Sequence, residues 1–94
     1  LFCFNDQLAI GAIKTLRSLG FRVPEDISVV GCDNTYLAAV FSPELSTINI
    51  PVDQMGVLAV ELLLERLEKN RRRSKRVELP ATLVPRSSTR RFSN

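Results

Sequence analysis

The chain opens on a short apolar run, Leu1-Phe2-Cys3-Phe4, closed by Asn5-Asp6, which predicts a buried strand followed by a helix cap. From Leu8 to Leu19 the apolar positions Leu8, Ala9, Ala12, Ile13, Leu16 and Leu19 recur at the helical period of about 3.6 residues. They share one broad face, while Lys14, Arg17 and Ser18 point elsewhere. Ile10 lies off that stripe and is expected to meet a second partner surface. Gly20 suits the position just past the helix end. After the turn Arg22-Val23-Pro24-Glu25-Asp26, the run Ile27-Ser28-Val29-Val30-Gly31 is too short for a helix and too apolar for an edge strand. It reads as a central parallel strand, which completes a strand–helix–strand unit.

Tyr36–Phe41 predicts one or two helical turns stopped by Ser42-Pro43, and Ser46–Ile50 a third strand ended by Pro51. Asp53 is placed to cap a long helix, Gln54 to about Lys69, with Met55, Leu58, Ala59, Leu62, Leu63 and Leu67 towards a core. Asn70–Arg76 reads as a basic loop, Val77–Pro80 and Leu83–Ser88 as strand pieces, and Thr89–Asn94 as a loosely attached tail.

Composition narrows the class. The chain has 94 residues, of which 45% are apolar, a globular rather than a disordered balance. The absence of a start methionine, with a strand-like run at once, predicts a piece of a longer protein. The formal charge of +3 is concentrated, because seven of the thirteen Lys and Arg lie between Arg66 and Arg76. No broad electropositive face follows. No apolar run approaches a membrane span. With no His, imidazole-based zinc sites and Ser-His-Asp or Cys-His catalysis are excluded for this segment. Cys3 and Cys32 lack the density of a disulfide scaffold and read as free thiols.

In an open α/β sheet, ligands bind beyond the carboxyl ends of the parallel strands. Asn5-Asp6 follows the first expected strand and Asp33-Asn34-Thr35 the second. Asn5, with donor and acceptor, and Asp33, an acceptor, suit a ligand rich in hydroxyl groups. The alternative is that both residues only cap helices, and the two roles are compatible. Asp6 and Asp33 are a carboxylate pair by count alone, and nothing in their pattern singles out glycoside hydrolysis. Gly11, Gly20, Gly31 and Gly56 form no nucleotide-binding pattern. Arg71–Arg76 lacks interleaved aromatics and a recognition helix, so a solvated loop is expected over a phosphate-binding one.

Several stretches, in order, carry a likeness: Phe4–Ala12 (FNDQLAIGA), Gly20–Gly31 (GFRVPEDISVVG), Cys32-Asp33-Asn34, Ser42–Ile48 (SPELSTI), Met55-Gly56 and Leu83–Thr89 (LVPRSST). Across roughly residues 1 to 90 the sequence resembles the lactose- and galactose-repressor family of transcription regulators. The resemblance implies an α/β, periplasmic-binding-protein-like (type I) two-lobed fold, here an incomplete C-terminal fragment with a parallel sheet and covering helices. Residues 1–50 would form part of the C-terminal lobe, 51–82 a crossover and a helix of the N-terminal lobe, 83–90 a return strand and 91–94 a tail. It further implies Asn5 and Asp33 as effector contacts, Ile50 and Pro51 at the hinge, and Ile10 at a dimer surface. Ile50 stands where the family often has a polar residue, commonly glutamine, so one hydrogen bond to a sugar would be lost, which favours a less polar effector or a site rebuilt from the missing lobe.

The function expected on this footing is the effector-binding portion of a cytoplasmic, homodimeric repressor. Its partners would be a small molecule, a sugar foremost, and operator DNA, the latter through an N-terminal helix-turn-helix outside this chain. No cofactor, metal, membrane contact or catalysis is expected. The alternative is a periplasmic sugar-binding protein of a transport system, which shares the cleft.

Overall fold

The computed structural model describes residues 1–70 and 72–92. In order, the elements are α1 (Asp6–Ser18), β1 (Val30–Cys32), α2 (Tyr36–Val40), β2 (Ser46–Asn49), α3 (Val52–Glu68) and β3 (Thr82–Val84). They divide into two compact units, one built from Leu1–Ile50 and the chain from Thr82 on, the other from Pro51–Ala81.

In the first unit β1 and β2 pair in parallel, with Gly31 opposite Thr47, as the strand–helix–strand pattern requires. β3 joins β2 antiparallel, with Asn49 opposite Thr82, so the sheet is mixed rather than wholly parallel. The reason is topological. The chain leaves the sheet beyond Asn49 and re-enters it at the same end at Thr82, so β3 must run back against β2. The predicted strand Ile27–Gly31 becomes regular only from Val30, because the Val29 amide donates to Ser88 O (2.9 Å) instead of to a ladder partner. The opening run lies parallel to β1 as a single bridge, Phe2 to Val30. Phe2 and Phe4 are 63% and 82% exposed rather than buried, since among the described residues nothing pairs with the outer edge of this run.

Asn5 caps α1, its Oδ1 accepting the Leu8 amide at 2.8 Å. The helix closes at Leu19, and Gly20 takes the positive φ of 89° that an ordinary side chain resists. The core is small: Ala9, Ile13, Val23, Val29, Ala38 and Leu45 are buried, with Cys3, Ile10, Leu16, Ile27 and Phe41 packed around them. The inward stripe of α1 is therefore narrower than its periodicity predicts. Leu8 and Leu19 stand 55% and 68% exposed, because a three-stranded sheet offers cover for only the middle of the helix. The end of the chain is held more firmly than its composition suggests. Arg90 directs its guanidinium at Glu25 O (Nη2, 2.8 Å), and Thr89 Oγ1 meets Ser46 Oγ at 2.7 Å.

In the second unit α3 begins at Val52, with Pro51 in the capping position and no side-chain cap, so Asp53 sits within the first turn instead of before it. Met55, Leu63 and Leu67 are exposed, and Leu58 and Leu62 half-buried, contrary to the expected core face. The Val77–Pro80 stretch forms no strand, Pro80 having no amide to offer a ladder. Lys75 reaches Glu65 at 3.7 Å and Arg76 reaches Glu78 at 2.6 Å, both exposed or half-exposed pairs. The rest of the basic run includes Arg71, which lies outside the described residues, as do Ser93 and Asn94 of the expected tail.

Ser88 is fully buried, with Oγ accepting the Ser46 amide (2.8 Å) and donating to Val29 O (2.6 Å). Ser88→Ala leaves two buried backbone groups unmet and should destabilise the protein by ~1–3 kcal/mol in urea unfolding.

Candidate ligand-binding edge

The Leu1–Cys3 run, β1 and β2 all point the same way, so their carboxyl ends lie along one edge of the sheet. Asn5 follows the first, Asp33 the second and Ile50 the third. Sequence reasoning nominated these three, and the topology brings them to that common edge. Pro51, the fourth, opens the second unit as the cap of α3. Ile10 is half-buried and packs against the core of the first unit, away from this edge in sequence and on the body of α1.

Asn5 is half-buried. Its oxygen is committed to the helix cap, while its amide nitrogen has no partner among the described residues. It thus caps the helix and still offers donors to a ligand. Asp33 is exposed, its own amide donating to Ile48 O at 2.9 Å. Its backbone is left-handed, φ 101°, and Asn34 follows at φ 52°. Two consecutive non-glycine residues in that region are costly and persist only where neighbours over-determine them. The neighbours are present. The Asn34 amide donates to Thr47 Oγ1 (3.2 Å), its side-chain nitrogen to Asn49 Oδ1 (3.1 Å), and its side-chain oxygen accepts from Arg86 Nη2 (2.9 Å). Arg86 also donates to Leu45 O at 2.9 Å, so its guanidinium ties the β1 turn to the start of β2.

The residue that sequence reasoning undervalued is Asp6, noted only as part of a helix cap and as one of two carboxylates. It is completely buried. Oδ1 accepts from Thr47 Oγ1 at 2.6 Å, and Oδ2 from both the amide (2.6 Å) and the hydroxyl (2.9 Å) of Thr35. Its partners, Thr35 at the cap of α2 and Thr47 within β2, lie 29 and 41 positions away, so no local spacing marked it. Arg86, near the chain end, carried no local signal at all.

Cys3 and Cys32 are both free thiols. Burial, and next the negative charge of Asp33, push the Cys32 thiol above its ordinary pKa. Among the described residues no cluster of three acidic or cysteine side chains is placed to hold a metal ion. Among the described residues no helix is long and apolar enough to cross a membrane.

Comparison with known proteins identifies the family and the fold. The profile of the periplasmic binding protein-like domain matches residues 1–89. The HTH-type transcriptional repressor PurR of Aliivibrio fischeri (strain MJ11) is 49% identical over 88 residues, which are 94% of this chain and 26% of that protein. PurR of Vibrio vulnificus (strain CMCP6) is 47% identical over 94 residues, 99% of this chain and 28% of its own length. The chain thus spans about a quarter of the length of the curated relatives it matches. Among solved structures, a CelR–cellobiose complex superposes with a TM-score of 0.87 at 33% identity, covering 93% of this chain and 27% of that one. A LacI family regulator from Enterococcus faecium with bound ribose gives 0.80 at 34% identity, covering 94% and 33%. The lac repressor dimer bound to operator and an anti-inducer gives 0.84 at 36% identity, covering 94% and 30%.

Removing the Asp33 charge removes one of the influences that disfavour the Cys32 thiolate. In Asp33→Asn the thiol pKa should therefore fall, and iodoacetamide should modify Cys32 faster at any pH below that of the native thiol, as a pH–rate profile of alkylation followed by mass spectrometry will register.

Proposed function

The chain belongs to the periplasmic-binding-protein-like domain family, in its lactose- and galactose-repressor (LacI/GalR) branch, and on that footing we propose that it is the effector-binding portion of a transcriptional repressor. The observation that carries the reading is the pairing of a free Asn5 amide with an exposed Asp33 carboxylate at the carboxyl edge of the parallel strands. Asn5 would donate to a ligand oxygen and Asp33 accept from a ligand hydroxyl. A sugar satisfies both. Ile50 at the same edge offers no hydrogen bond, which favours an effector with one less polar face. Solved relatives with bound cellobiose and ribose support the sugar class.

In this reading the first compact unit is part of a C-terminal lobe, residues 1–50 with the return strand 83–90. The second, 51–81, supplies a crossover and a helix of an N-terminal lobe, whose remaining elements would cover the apolar positions of α3. Ile50 and Pro51 stand where the chain passes between the units and would act as hinge residues. The DNA-reading helix-turn-helix would precede this chain in the complete protein, which would act as a cytoplasmic homodimer on operator DNA. Ile10, with the exposed apolar residues Leu8, Tyr36 and Leu37 on α1 and α2, would contribute to the dimer surface. Control would come from the effector's different affinity for two lobe arrangements, since equal affinity for both would shift nothing.

In the full-length protein, operator affinity should change on adding the effector in a gel-shift or fluorescence titration. Asp33→Ala should weaken effector binding by ~1–3 kcal/mol, about 5- to 150-fold. Unchanged effector affinity in that variant would restrict Asp33 to its structural role.

A further inference from the structure

We infer that Asp6 is a positioning residue for effector recognition, building Asn5 and the Asp33 turn into a single unit by clasping the turn from the start of α1. The consequence for ligand rests on the effector-binding reading. The clasp itself does not.

A carboxylate in the first helical turn has an ordinary role, favouring the helix amino end. Asp6 does something else with its oxygens, since every bond they accept comes from residues 29 or 41 positions away in sequence. One oxygen takes both polar groups of Thr35, the residue that ends the strained turn Asp33-Asn34. The other takes Thr47 Oγ1, which in turn accepts the Asn34 amide. Helix start, strained turn and β2 are thereby one hydrogen-bonded circuit. Asn5 is the neighbour of Asp6 in the chain, so fixing Asp6 fixes the backbone that carries Asn5.

β1 is hollowed to admit this carboxylate. A Cβ on Gly31 would lie 2.5 Å from Asp6 Oδ1, 2.9 Å from Leu45 Cδ2 and 3.2 Å from Asp6 Cα, so only glycine leaves the seat open. The chemistry is equally selective. Three donors converge on two oxygens, and an amide in place of the carboxylate turns an NH2 group towards one of those donors whichever way it is flipped. A binding turn held in left-handed backbone by bonds to its neighbours should relax once they are cut.

Hydrogen–deuterium exchange of the full-length protein, read on peptides covering Cys32–Tyr36, tests the clasp without ligand. In Asp6→Asn, exchange there should rise roughly tenfold or more, while peptides from Ile13–Ser18 stay near native. Gly31→Ala should do the same by displacing the carboxylate. The exposed Thr35 permits a milder pair, in which Thr35→Val loosens the turn partially and Thr35→Ser leaves it native. D-ribose titration by calorimetry is the ligand arm, and Asp6→Asn should weaken ribose roughly tenfold or more while Thr35→Ser stays within about twofold. Native exchange at Cys32–Tyr36 in Asp6→Asn and Thr35→Val, or an equal rise in every peptide of the unit, would overturn the positioning role. A native protein that ignores ribose counts against the sugar reading alone, and the exchange arm still decides on Asp6.

Discussion

A carboxylate removed from water must find hydrogen-bond donors or forfeit several kcal/mol of hydration, and Asp6 finds all of them in other elements. That obligation organises the first unit. It draws the amino end of α1 to the carboxyl edge of the sheet, requires a glycine at position 31, and requires hydroxyls at Thr35 and Thr47. The left-handed turn at Asp33 and Asn34 is stable in that company, with Arg86 and Asn49 completing its support. A fully buried side chain thus sets where two candidate ligand contacts stand.

The apolar core of this unit is too small to do the same work. Six buried apolar residues, two of them alanines, define a centre but leave little surplus burial to hold loops in place. Polar ties take over at the margins. The Ser46 amide donates to Ser88 Oγ and the Arg86 amide to Ser46 Oγ, tying β2 to the segment after β3, while Ser88 Oγ donates to Val29 O and Arg90 anchors the chain end to the turn at Glu25. α3 shows the opposite imbalance, a helix with exposed Met55, Val57, Val60, Leu63, Leu64 and Leu67. A helix apolar on several faces belongs inside a larger assembly of elements, which accords with the proposed N-terminal lobe.

Local chemistry in the sequence was enough to read the helix capped by Asn5 and closing before Gly20, the short helix after Thr35, and the strand ending ahead of Pro51. Each is marked by a capping or breaking residue within a few positions. Burial was read less well, because periodicity says which residues share a face but not how wide the cover over that face is. Leu8 and Leu19 lie on the apolar stripe yet project beyond the sheet. The antiparallel sense of β3 depends on where a separate compact unit returns the chain, a property no residue near Thr82 encodes. At the candidate ligand-binding edge, Asn5 and Asp33 were visible as short polar residues just past apolar runs. Asp6 and Arg86 were not, since their partners lie 29 to 52 positions away and become neighbours only in the folded chain.

A small molecule bound at the edge shared by Asn5 and Asp33 would have Cys32 as a reporter beside it. The direct measurement is the alkylation rate of Cys32 against that of Cys3 in the full-length protein, across a panel of pentoses, hexoses, disaccharides and nitrogen heterocycles. At least one compound should shield Cys32 selectively, at the same concentration that alters operator binding. A compound that alters operator binding while both thiols react at their unliganded rates would contradict binding at that edge.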